Sequence, residues 1–388
     1  MKKKLVILGS TGSIGKTLIS IIKKDKSNFE IKLLSANKNI KELLKQIYVF
    51  NVKNIIVTNN KKYIEIKKIL KNKKINIYND YSAIDKILKK TKIDYTMNAI
   101  SGLDGLDPTL KIIKFTKKIA IANKESIICG WNLIKKKIDL YKTVFIPVDS
   151  EHFSIWSLTN NIQSKNIEKI YITASGGPFN KLKVSQFKSI NKNSALKHPN
   201  WKMGKKITID SATMMNKVFE IIEAKNIFNI SYNKISILVH PKSYVHAIVK
   251  LTNGLIKILI HDTNMTIPIF NSLYVDGEKN INTHKINLSI LNKLQFSKVN
   301  EKKFPVIKIL KYLPNKNSLF ETIIVSANDR LVEMFLQNKI HFLDISKYLL
   351  MIVDDHDFKK YKEITPKNIN QINEIKEYVR LKINSLRI

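Results

Sequence analysis

The chain has 388 residues, in which 68 lysines and arginines against 31 aspartates and glutamates give a formal net charge of +37. Its length exceeds what one hydrophobic core usually organises, so we predict more than one domain. The only cysteine is Cys129, which excludes a disulfide-stabilised scaffold. No apolar run reaches the roughly 18 residues that a membrane-spanning helix needs.

The positive charge has two possible explanations. Lysine clusters bind nucleic acid by displacing the counterions of its phosphates. However, the chain has only three arginines, Arg330, Arg380 and Arg387, and arginine is the better side chain for reading guanine and gripping phosphate. The lysines also spread along the whole chain beside many asparagines and isoleucines, as an AT-rich genome would produce. We therefore favour a solvated cationic surface, with no specific nucleic acid and no membrane as partner. The apolar stretch 5–8 is too short for a signal peptide, so we expect a cytoplasmic protein.

Residues 1–148 alternate short apolar runs with helical patterns, which predicts a doubly wound, Rossmann-like parallel sheet. The predicted strands are 4–9, 30–36, 54–58, 75–79, 95–100, 118–122 and 143–148. Predicted helices between them include 14–24, 61–71 and 124–141. The chain is therefore expected to begin with an α/β domain.

The pattern changes after residue 148, and we predict a central α+β domain at 149–275, with antiparallel pairing. Its predicted elements are a strand at 169–174, a loop-rich stretch to 207, a helix at 212–225 and two strands, 244–251 and 255–260. The last two flank Asn253-Gly254, which suits a tight hairpin turn. Residues 276–303 are polar and weakly periodic, which predicts a connector. Residues 304–388 predict a small helical domain, strongest at 319–336 and 342–353.

The first predicted strand leads into a glycine-rich turn, Gly9 to Gly15, and then into a helix. Backbone N–H groups of such a turn bind a pyrophosphate, although a glycine turn without a ligand is the alternative. An NAD enzyme usually has an acidic residue after the second strand to bind the ribose 2′-hydroxyl. This chain has Ser35-Ala36-Asn37-Lys38-Asn39 there, which favours NADP.

Acidic residues follow the last strand of this domain. In an extended segment Asp149 and Glu151 would share a face, at the sheet edge where open α/β folds bind ligands. Two adjacent carboxylates favour a hard divalent ion, Mg²⁺ or Mn²⁺, whereas a solvated acidic loop is the alternative. On the predicted helix, Asn216, Lys217 and Glu220 share a face, with Ser211 near the N-cap. Glu220 suits the metal, and the other three suit a phosphate.

Two loops are further candidates. Ser175-Gly176-Gly177-Pro178 is either an anion-binding nest or an ordinary turn. The loop from His198 to Gly204 carries Trp201 and Met203, so it is either a lid over substrate or a place where Trp201 packs inward. His240, His246 and His261 have no recognised zinc spacing.

Six motifs occur together in one order: GSTGSIG at 9–15, ANKES at 122–126, PVDSEH at 147–152, SGGPF at 175–179, HPNWxMG at 198–204 and DSATMMNK at 210–217. On these motifs the chain resembles the 1-deoxy-D-xylulose 5-phosphate reductoisomerases, from residue 1 to about residue 268. The resemblance implies a homodimeric, NADPH- and divalent-metal-dependent oxidoreductase of isoprenoid precursor biosynthesis. It would rearrange and reduce 1-deoxy-D-xylulose 5-phosphate to 2-C-methyl-D-erythritol 4-phosphate. Whether the rearrangement proceeds by retroaldol and aldol steps or by direct migration stays open.

The resemblance also implies roles for single residues. It places the metal on Asp149, Glu151 and Glu220, which with Lys124 form the catalytic group. Substrate binding falls to Lys124, Ser150, Glu151, His152, Ser175, His198, Trp201, Met203, Ser211, Asn216, Lys217 and Glu220, and the phosphate itself to Ser175, Ser211, Asn216 and Lys217. NADPH binding falls to Thr11, Gly12, Ser13, Ile14, Asn37, Lys38, Asn39, Asn123, Glu125 and Gly204.

Two departures from the family pattern occur. Asn37 replaces a glycine, and we expect little loss because asparagine tolerates a left-handed backbone. Residues 263–268 also differ, which affects local packing or the dimer contact. Another NADP oxidoreductase, such as a semialdehyde dehydrogenase, is the alternative within the same class. That chemistry needs an active-site thiol, and Cys129 lies in a helical pattern, where a cysteine is usually buried.

Overall fold

The computed structural model describes residues 2–201, 203–275, 277 and 279–386. The chain forms two compact units. One consists of Met1–Ser126, Leu133–Asp149 and Met265–Ile281, and the other of Ile127–Asn132, Ser150–Asn264 and Asn282–Ile388. No helix among the described residues is long and apolar enough to cross a membrane.

The strands are β1 (Lys3–Leu8), β2 (Phe29–Ala36), β3 (Asn54–Val57), β4 (Asn76–Tyr78), β5 (Ile93–Asn98), β6 (Thr116–Ile121), β7 (Val144–Pro147), β8 (Ile167–Ala174), β9 (Ile235–Val239), β10 (Val245–Leu251), β11 (Ile256–Ile260) and β12 (Ser297–Lys298). The α-helices are α1 (Ser13–Lys23), α2 (Ile40–Phe50), α3 (Asn60–Ile69), α4 (Ala83–Leu88), α5 (Leu106–Ile112), α6 (Lys124–Tyr141), α7 (Ser150–Leu158), α8 (Lys192–Ala195), α9 (Lys205–Thr213), α10 (Met215–Phe228), α11 (Thr266–Leu273), α12 (Leu288–Leu291), α13 (Leu319–Leu336), α14 (Phe342–Asp354), α15 (His356–Lys359) and α16 (Ile369–Ser385). Short 3-10 helices occupy Lys26–Asn28, Leu103–Gly105, Ile113–Phe115, Ser164–Asn166, Val184–Ser189, Tyr232–Lys234, Pro305–Tyr312 and Lys360–Glu363.

The first unit is built on a seven-stranded sheet in the order β4-β3-β2-β1-β5-β6-β7, and every pairing in it is parallel. All four residues from Leu5 to Leu8 are fully buried, as expected for a central strand covered on both faces. Each of the seven predicted strands overlaps one of these strands. The predicted doubly wound α/β fold is confirmed.

A later segment completes this unit. Helix α11 packs against α1, and Ile269 and Leu273 belong to the same buried core as β1 and β2. The Tyr95 hydroxyl lies 2.8 Å from the Ser272 hydroxyl, and the Tyr274 hydroxyl donates to Asp25 at 2.9 Å. These contacts bring a segment of distant sequence back to the parallel sheet.

The second unit contains a five-stranded sheet in the order β11-β10-β8-β9-β12. The predicted hairpin is confirmed as the antiparallel pair β10 and β11, with Gly254 at a φ of +88° in its turn. The predicted antiparallel pairing is present in three of the four strand pairs, whereas β8 and β9 run parallel. The predicted connector 276–303 also contains α12 and β12, and β12 adds to the edge of this sheet. The predicted C-terminal helices are present as α13, α14 and α16.

Two predictions near the site were wrong. Strand β7 ends at Pro147 and α7 begins at Ser150, so Asp149 and Glu151 do not lie on one extended strand. Aspartate is favoured just before the first residue of a helix, which explains why a helix and not an extended segment follows Asp149. The helix predicted at 212–225 is instead two helices, α9 and α10, separated by Met214 at a φ of +69°. Ser211 therefore lies inside α9 and not at an N-cap.

Candidate active site

The glycine-rich turn links β1 to α1. Gly9 has a φ of +77°, and a Cβ atom there would lie 2.7 Å from the carbonyl oxygen of Ala99, just after β5. A Cβ on Gly15 would lie 2.5 Å from the Gly9 carbonyl oxygen. Because β1 has β2 on one side and β5 on the other, the turn lies where the strand order reverses, the usual ligand site of open parallel sheets.

The residues predicted to contact the cofactor are accessible in this unit. Thr11, Gly12, Ser13 and Ile14 form the turn and the first residues of α1, and none of them is buried. Ser35 fixes the turn to β2, since its hydroxyl accepts from the Gly9 N–H at 2.9 Å. The turn therefore presents backbone N–H groups at a helix N-terminus, which suits a pyrophosphate.

The end of β2 carries the residues that we predicted to favour NADP over NAD. Asn37, Lys38 and Asn39 are exposed there, and the Asn39 side chain caps α2 by accepting from the Glu42 N–H at 3.1 Å. The Asn37 amide donates to the Thr58 hydroxyl at 2.8 Å. Asn37 is not among the described residues with positive φ, so no left-handed backbone is required of the asparagine at this position.

A second group lies at the carboxyl end of β6. Asn123 caps α6, accepting from the Ser126 N–H at 2.7 Å, and its amide donates to the Gly102 carbonyl at 2.5 Å. The next residue, Lys124, is nearly buried, and its ammonium lies 2.9 Å from the Asp149 carboxylate. Glu125 is also buried. A buried lysine thus contacts the carboxylate at the end of this unit.

In the second unit, a cluster of charged groups joins α7 to α10. The Lys217 ammonium binds the Glu151 carboxylate and lies 2.6 Å from the Glu220 carboxylate. Asn216 donates a further hydrogen bond to Glu220. One carboxylate oxygen of Glu151 and one of Glu220 lie within 4.8 Å of each other. Asn216, Lys217 and Glu220 were predicted to share a face, and the structure brings them together.

Electrostatics explains the state of this cluster. Burial alone lowers the pKa of Lys217, but the Glu151 and Glu220 carboxylates outweigh it and raise the pKa above its ordinary value. Two carboxylates and one ammonium leave a net negative charge in a nearly buried place. Two carboxylate oxygens at this separation are suitable ligands for Mg²⁺ or Mn²⁺. Asp149, the third predicted ligand, lies two residues before Glu151 along the chain.

His152 lies behind the carboxylates. It is fully buried, its Nε2 lies 2.9 Å from the Glu220 backbone carbonyl, and its Nδ1 lies 3.3 Å from the Glu223 carboxylate. The ring therefore supports α10 from the inside. The sequence reasoning missed Glu223, although its position three residues after Glu220 places both on one helix face. Near the start of α7, the Ser150 hydroxyl donates to the Glu151 carboxylate at 2.6 Å.

The chain turns tightly after β8 and lies close to α9 there. Gly176 and Gly177 both have positive φ, and a Cβ on Gly177 would lie 2.8 Å from the Ser211 carbonyl oxygen in α9. The Ser175 hydroxyl accepts from the Gly177 N–H at 3.0 Å. Ser175 and Ser211, two of the predicted phosphate ligands, therefore flank one tight glycine contact.

His198 is held in one orientation. Its Nδ1 accepts from the backbone N–H groups of Asn200 at 3.1 Å and Trp201 at 2.9 Å, so the proton of the neutral ring lies on Nε2. That nitrogen lies 3.2 Å from the Ser175 hydroxyl. Burial lowers the pKa of His198 to about 4, with a further decrease from the Lys217 charge. The ring is therefore a neutral donor toward Ser175 at neutral pH.

The loop that contains Trp201 packs against a histidine. Trp201 and Met203 are half-buried, and the Trp201 ring meets His246 edge to face, with 6.2 Å between ring centroids. Gly204 is exposed at the start of α9. The alternative in which Trp201 packs inward therefore describes this structure. His246 was missed as a contact because only the tertiary fold brings it near the loop.

Comparisons with known proteins give one consistent result. Family models described as 1-deoxy-D-xylulose 5-phosphate reductoisomerase match residues 5–130, 145–228 and 261–382, the last two as C-terminal domains. A relative of that name from Pelagibacter ubique is 60% identical over 387 residues, covering 100% of both chains. One from Wolbachia pipientis is 38% identical and covers 93% of this chain and 92% of its own.

Solved structures agree with these relatives. The reductoisomerase from Zymomonas mobilis in complex with NADPH is 30% identical, with a TM-score of 0.88 over 100% of this chain and 99% of that one. A reductoisomerase in complex with NADPH, fosmidomycin and magnesium is 28% identical, with a TM-score of 0.90 over 99% and 98%. The resemblance drawn from the six motifs is confirmed.

Proposed function

This chain belongs to the 1-deoxy-D-xylulose 5-phosphate reductoisomerase family, and we propose that it rearranges and reduces 1-deoxy-D-xylulose 5-phosphate to 2-C-methyl-D-erythritol 4-phosphate. NADPH and a divalent metal ion are its cofactors, as in the related structures. The product enters isoprenoid precursor biosynthesis by the methylerythritol phosphate pathway. The observation that carries the proposal is the buried contact of Lys217 with Glu151 and Glu220, because it joins the cation that we propose for the phosphate to two carboxylates that we propose for the metal.

Asp149, Glu151 and Glu220 would hold the metal ion. The fit rests on their chemistry, because carboxylate oxygens are the ligands that Mg²⁺ and Mn²⁺ prefer, and Glu151 and Glu220 already lie within 4.8 Å of each other. When bound, such an ion polarises substrate oxygens and stabilises negative charge on them. His152, which contacts the Glu220 backbone carbonyl and the Glu223 carboxylate, would hold helix α10 in place behind the Glu220 side chain.

The substrate phosphate would bind to Ser175, Ser211, Asn216 and Lys217. The two serines flank the Gly177 contact, and the neutral His198 ring turns the Ser175 hydroxyl by its hydrogen bond. Lys217 supplies the charge that a phosphate needs. Binding energy gained at the phosphate positions the distant reacting carbons. Lys124 and Ser150 would contact the sugar oxygens, and Trp201 and Met203 would cover them.

NADPH would bind at the first unit. Its pyrophosphate fits the turn at Thr11 to Ile14, and its 2′-phosphate fits the exposed Lys38, with Asn37 and Asn39 beside it. The absence of an acidic side chain at residues 35–39 favours the phosphorylated dinucleotide. Asn123, Glu125 and Gly204 are the remaining proposed contacts.

The proposal is tested by following NADPH absorbance after addition of 1-deoxy-D-xylulose 5-phosphate. We expect oxidation that requires Mg²⁺ or Mn²⁺ and stops with a chelator, and inhibition by fosmidomycin. A matched control is Cys129→Ala, which should retain full activity because this thiol is buried in α6 and serves no step. Loss of activity in that variant while it remains folded would favour a thiol-dependent oxidoreductase instead.

We further propose a cytoplasmic homodimer, in which 1–148 binds NADPH, 149–275 carries catalysis and dimerisation, 276–303 connects, and 304–388 is the helical domain. The edge strand β11 supports dimerisation, because Leu255, Ile256 and Ile258 around it are exposed apolar side chains on an unpaired sheet edge. Light scattering should give twice the chain mass, and Ile256→Lys should shift it toward the monomer. A wild-type chain that is monomeric at micromolar concentration would refute this arrangement.

A further inference from the structure

Two imidazole rings stack beside the candidate site. His246 belongs to β10 and His261 follows β11, and their rings are nearly parallel, 16° apart with 3.7 Å between centroids. The pairing of β10 with β11 slips by one residue between Val245 and Ala247, so His246 lies in an irregularity of the ladder. Such bulges commonly redirect a side chain near an active site.

Hydrogen bonds fix both rings. His246 Nε2 lies 3.1 Å from the His261 carbonyl oxygen, and His261 Nδ1 lies 2.7 Å from the Asp262 carbonyl oxygen. A carbonyl only accepts, so each of these nitrogens carries a proton. Burial lowers the pKa of both histidines, to about 3 for His246, so both rings are neutral. The stack is therefore rigid and uncharged at neutral pH.

The stack contacts the loop that carries Trp201. His198 accepts from the Trp201 N–H at 2.9 Å and lies 3.2 Å from the Ser175 hydroxyl, so the loop is joined to the candidate site. The Trp201 edge lies against the His246 ring, 71° from parallel. Asn200, the residue before, donates to the Pro241 carbonyl at 2.8 Å and the Ser243 hydroxyl at 2.9 Å, just ahead of β10.

The stability of the fold does not account for a histidine at position 261. His261 Nε2 is buried and has no hydrogen-bond partner within the part of the chain that the structure describes. A buried acceptor without a partner destabilises the folded state, which an apolar side chain of similar size would avoid. The Nδ1 bond to Asp262 instead holds the ring flat against His246, so its orientation is the property that histidine supplies.

We propose that His261 is a positioning residue for the sugar-phosphate site, acting through His246 to set the orientation of Trp201. The proposal rests on the proposed function. His261 stacks on His246, and His246 meets Trp201, so the His246 ring connects the two. Removing the His261 ring would leave one face of the His246 ring without its stacking partner, although its hydrogen bond to the carbonyl of residue 261 would remain. The surface against which Trp201 is oriented would then be held less firmly.

The test compares two substitutions at this position with a nearby control. His261→Ala removes the ring, and His261→Phe keeps a flat ring that can stack. His284→Ala is the control, since His284 is exposed and also hydrogen-bonds Asp262, at 3.0 Å. Each purified full-length variant is assayed for kcat and for the Michaelis constants of the sugar phosphate and of NADPH.

An aromatic pair is worth about two- to tenfold in an equilibrium constant. We therefore expect His261→Ala to raise the Michaelis constant for the sugar phosphate by about that factor. His261→Phe and His284→Ala should change it less than about twofold. Tryptophan emission on binding fosmidomycin gives a second readout, with Trp201→Phe identifying the contribution of Trp201 among the three tryptophans. His261→Ala should lose that contribution, and His261→Phe should keep it.

Two results would overturn the proposal. One is a folded His261→Ala variant with an unchanged Michaelis constant and an unchanged Trp201 signal. The other is a His261→Phe variant that folds yet shows the increase expected for alanine, because the stack would then not be the cause. If His261→Ala does not fold, the phenylalanine variant alone decides. Absence of turnover in the wild-type enzyme would instead refute the proposed function.

Discussion

Replacing Lys217 by methionine would leave two nearly buried carboxylates facing each other. Lys217, Glu151 and Glu220 expose only 8%, 12% and 1% of their side chains, so solvent screens them weakly. Two unit charges 4.8 Å apart repel by about 3.5 kcal/mol at an effective dielectric constant of 20. Removing one partner of a buried pair typically costs about 3 to 5 kcal/mol, which agrees with that figure. We therefore expect Lys217→Met to lower the free energy of unfolding by about 3 kcal/mol at pH 8.

The sign of the pH and metal dependence follows from the same charges. Without the ammonium, repulsion raises the pKa of the carboxylates in the folded variant above their unfolded values. The folded variant then binds more protons, so its stability should recover as the pH falls. Mg²⁺ should also restore the stability of the Lys217→Met variant, since the ion would replace the lost positive charge.

The assay is urea denaturation of wild type, Lys217→Met and the exposed control Lys165→Met, at pH 6 and pH 8, with and without Mg²⁺. The control should change stability by less than about 0.5 kcal/mol. A Lys217→Met protein as stable as wild type at pH 8, or one that Mg²⁺ stabilises no more than wild type, would refute this reasoning.

Three further predictions follow from single residues. Glu220→Gln should abolish metal-dependent turnover while leaving NADPH affinity unchanged in a fluorescence titration; normal turnover would contradict the metal assignment. Burial raises the pKa of Glu321 from 4.5 to about 7, so the folded protein keeps a proton that the unfolded chain loses, and the destabilising effect grows as the pH rises from 4.5 to about 7. Glu321→Gln should therefore stabilise the protein at pH 8 by about 2 kcal/mol and much less at pH 4.5, as thermal unfolding would show. Glu223→Gln should lower turnover about tenfold through His152, with no change in the Michaelis constant for NADPH.

The sequence predicted the elements whose pattern is local. The seven parallel strands were predicted from short apolar runs, and Asn253-Gly254 predicted the hairpin because its turn needs a positive φ. The helix over residues 124–141 was predicted with its observed limits, since apolar periodicity and the cap at Asn123 act within a few residues. Local sequence patterns were therefore sufficient to predict most of the strands and helices.

Features that depend on tertiary contacts were missed. No propensity indicates that Met214 adopts a positive φ, and the packing of α9 against α10 offsets the cost of that conformation. The extended segment expected around Asp149 and Glu151 is instead the start of a helix, because the same acidic spacing is compatible with both. The stack of His246 on His261 connects β10 to the residue after β11, and no spacing in the sequence predicts it. Motifs thus located the site, whereas its supporting contacts needed the structure.

Counting bound Mn²⁺ by electron paramagnetic resonance tests the central claim most directly. We expect one Mn²⁺ per chain in the wild-type enzyme. Binding should be at least roughly tenfold weaker in each of Asp149→Asn, Glu151→Gln and Glu220→Gln. Asp262→Asn, which alters an acidic residue outside the three proposed ligands, should bind the ion as wild type does. Equal Mn²⁺ affinity in the three ligand variants and the wild type would contradict the claim that these carboxylates share one ion.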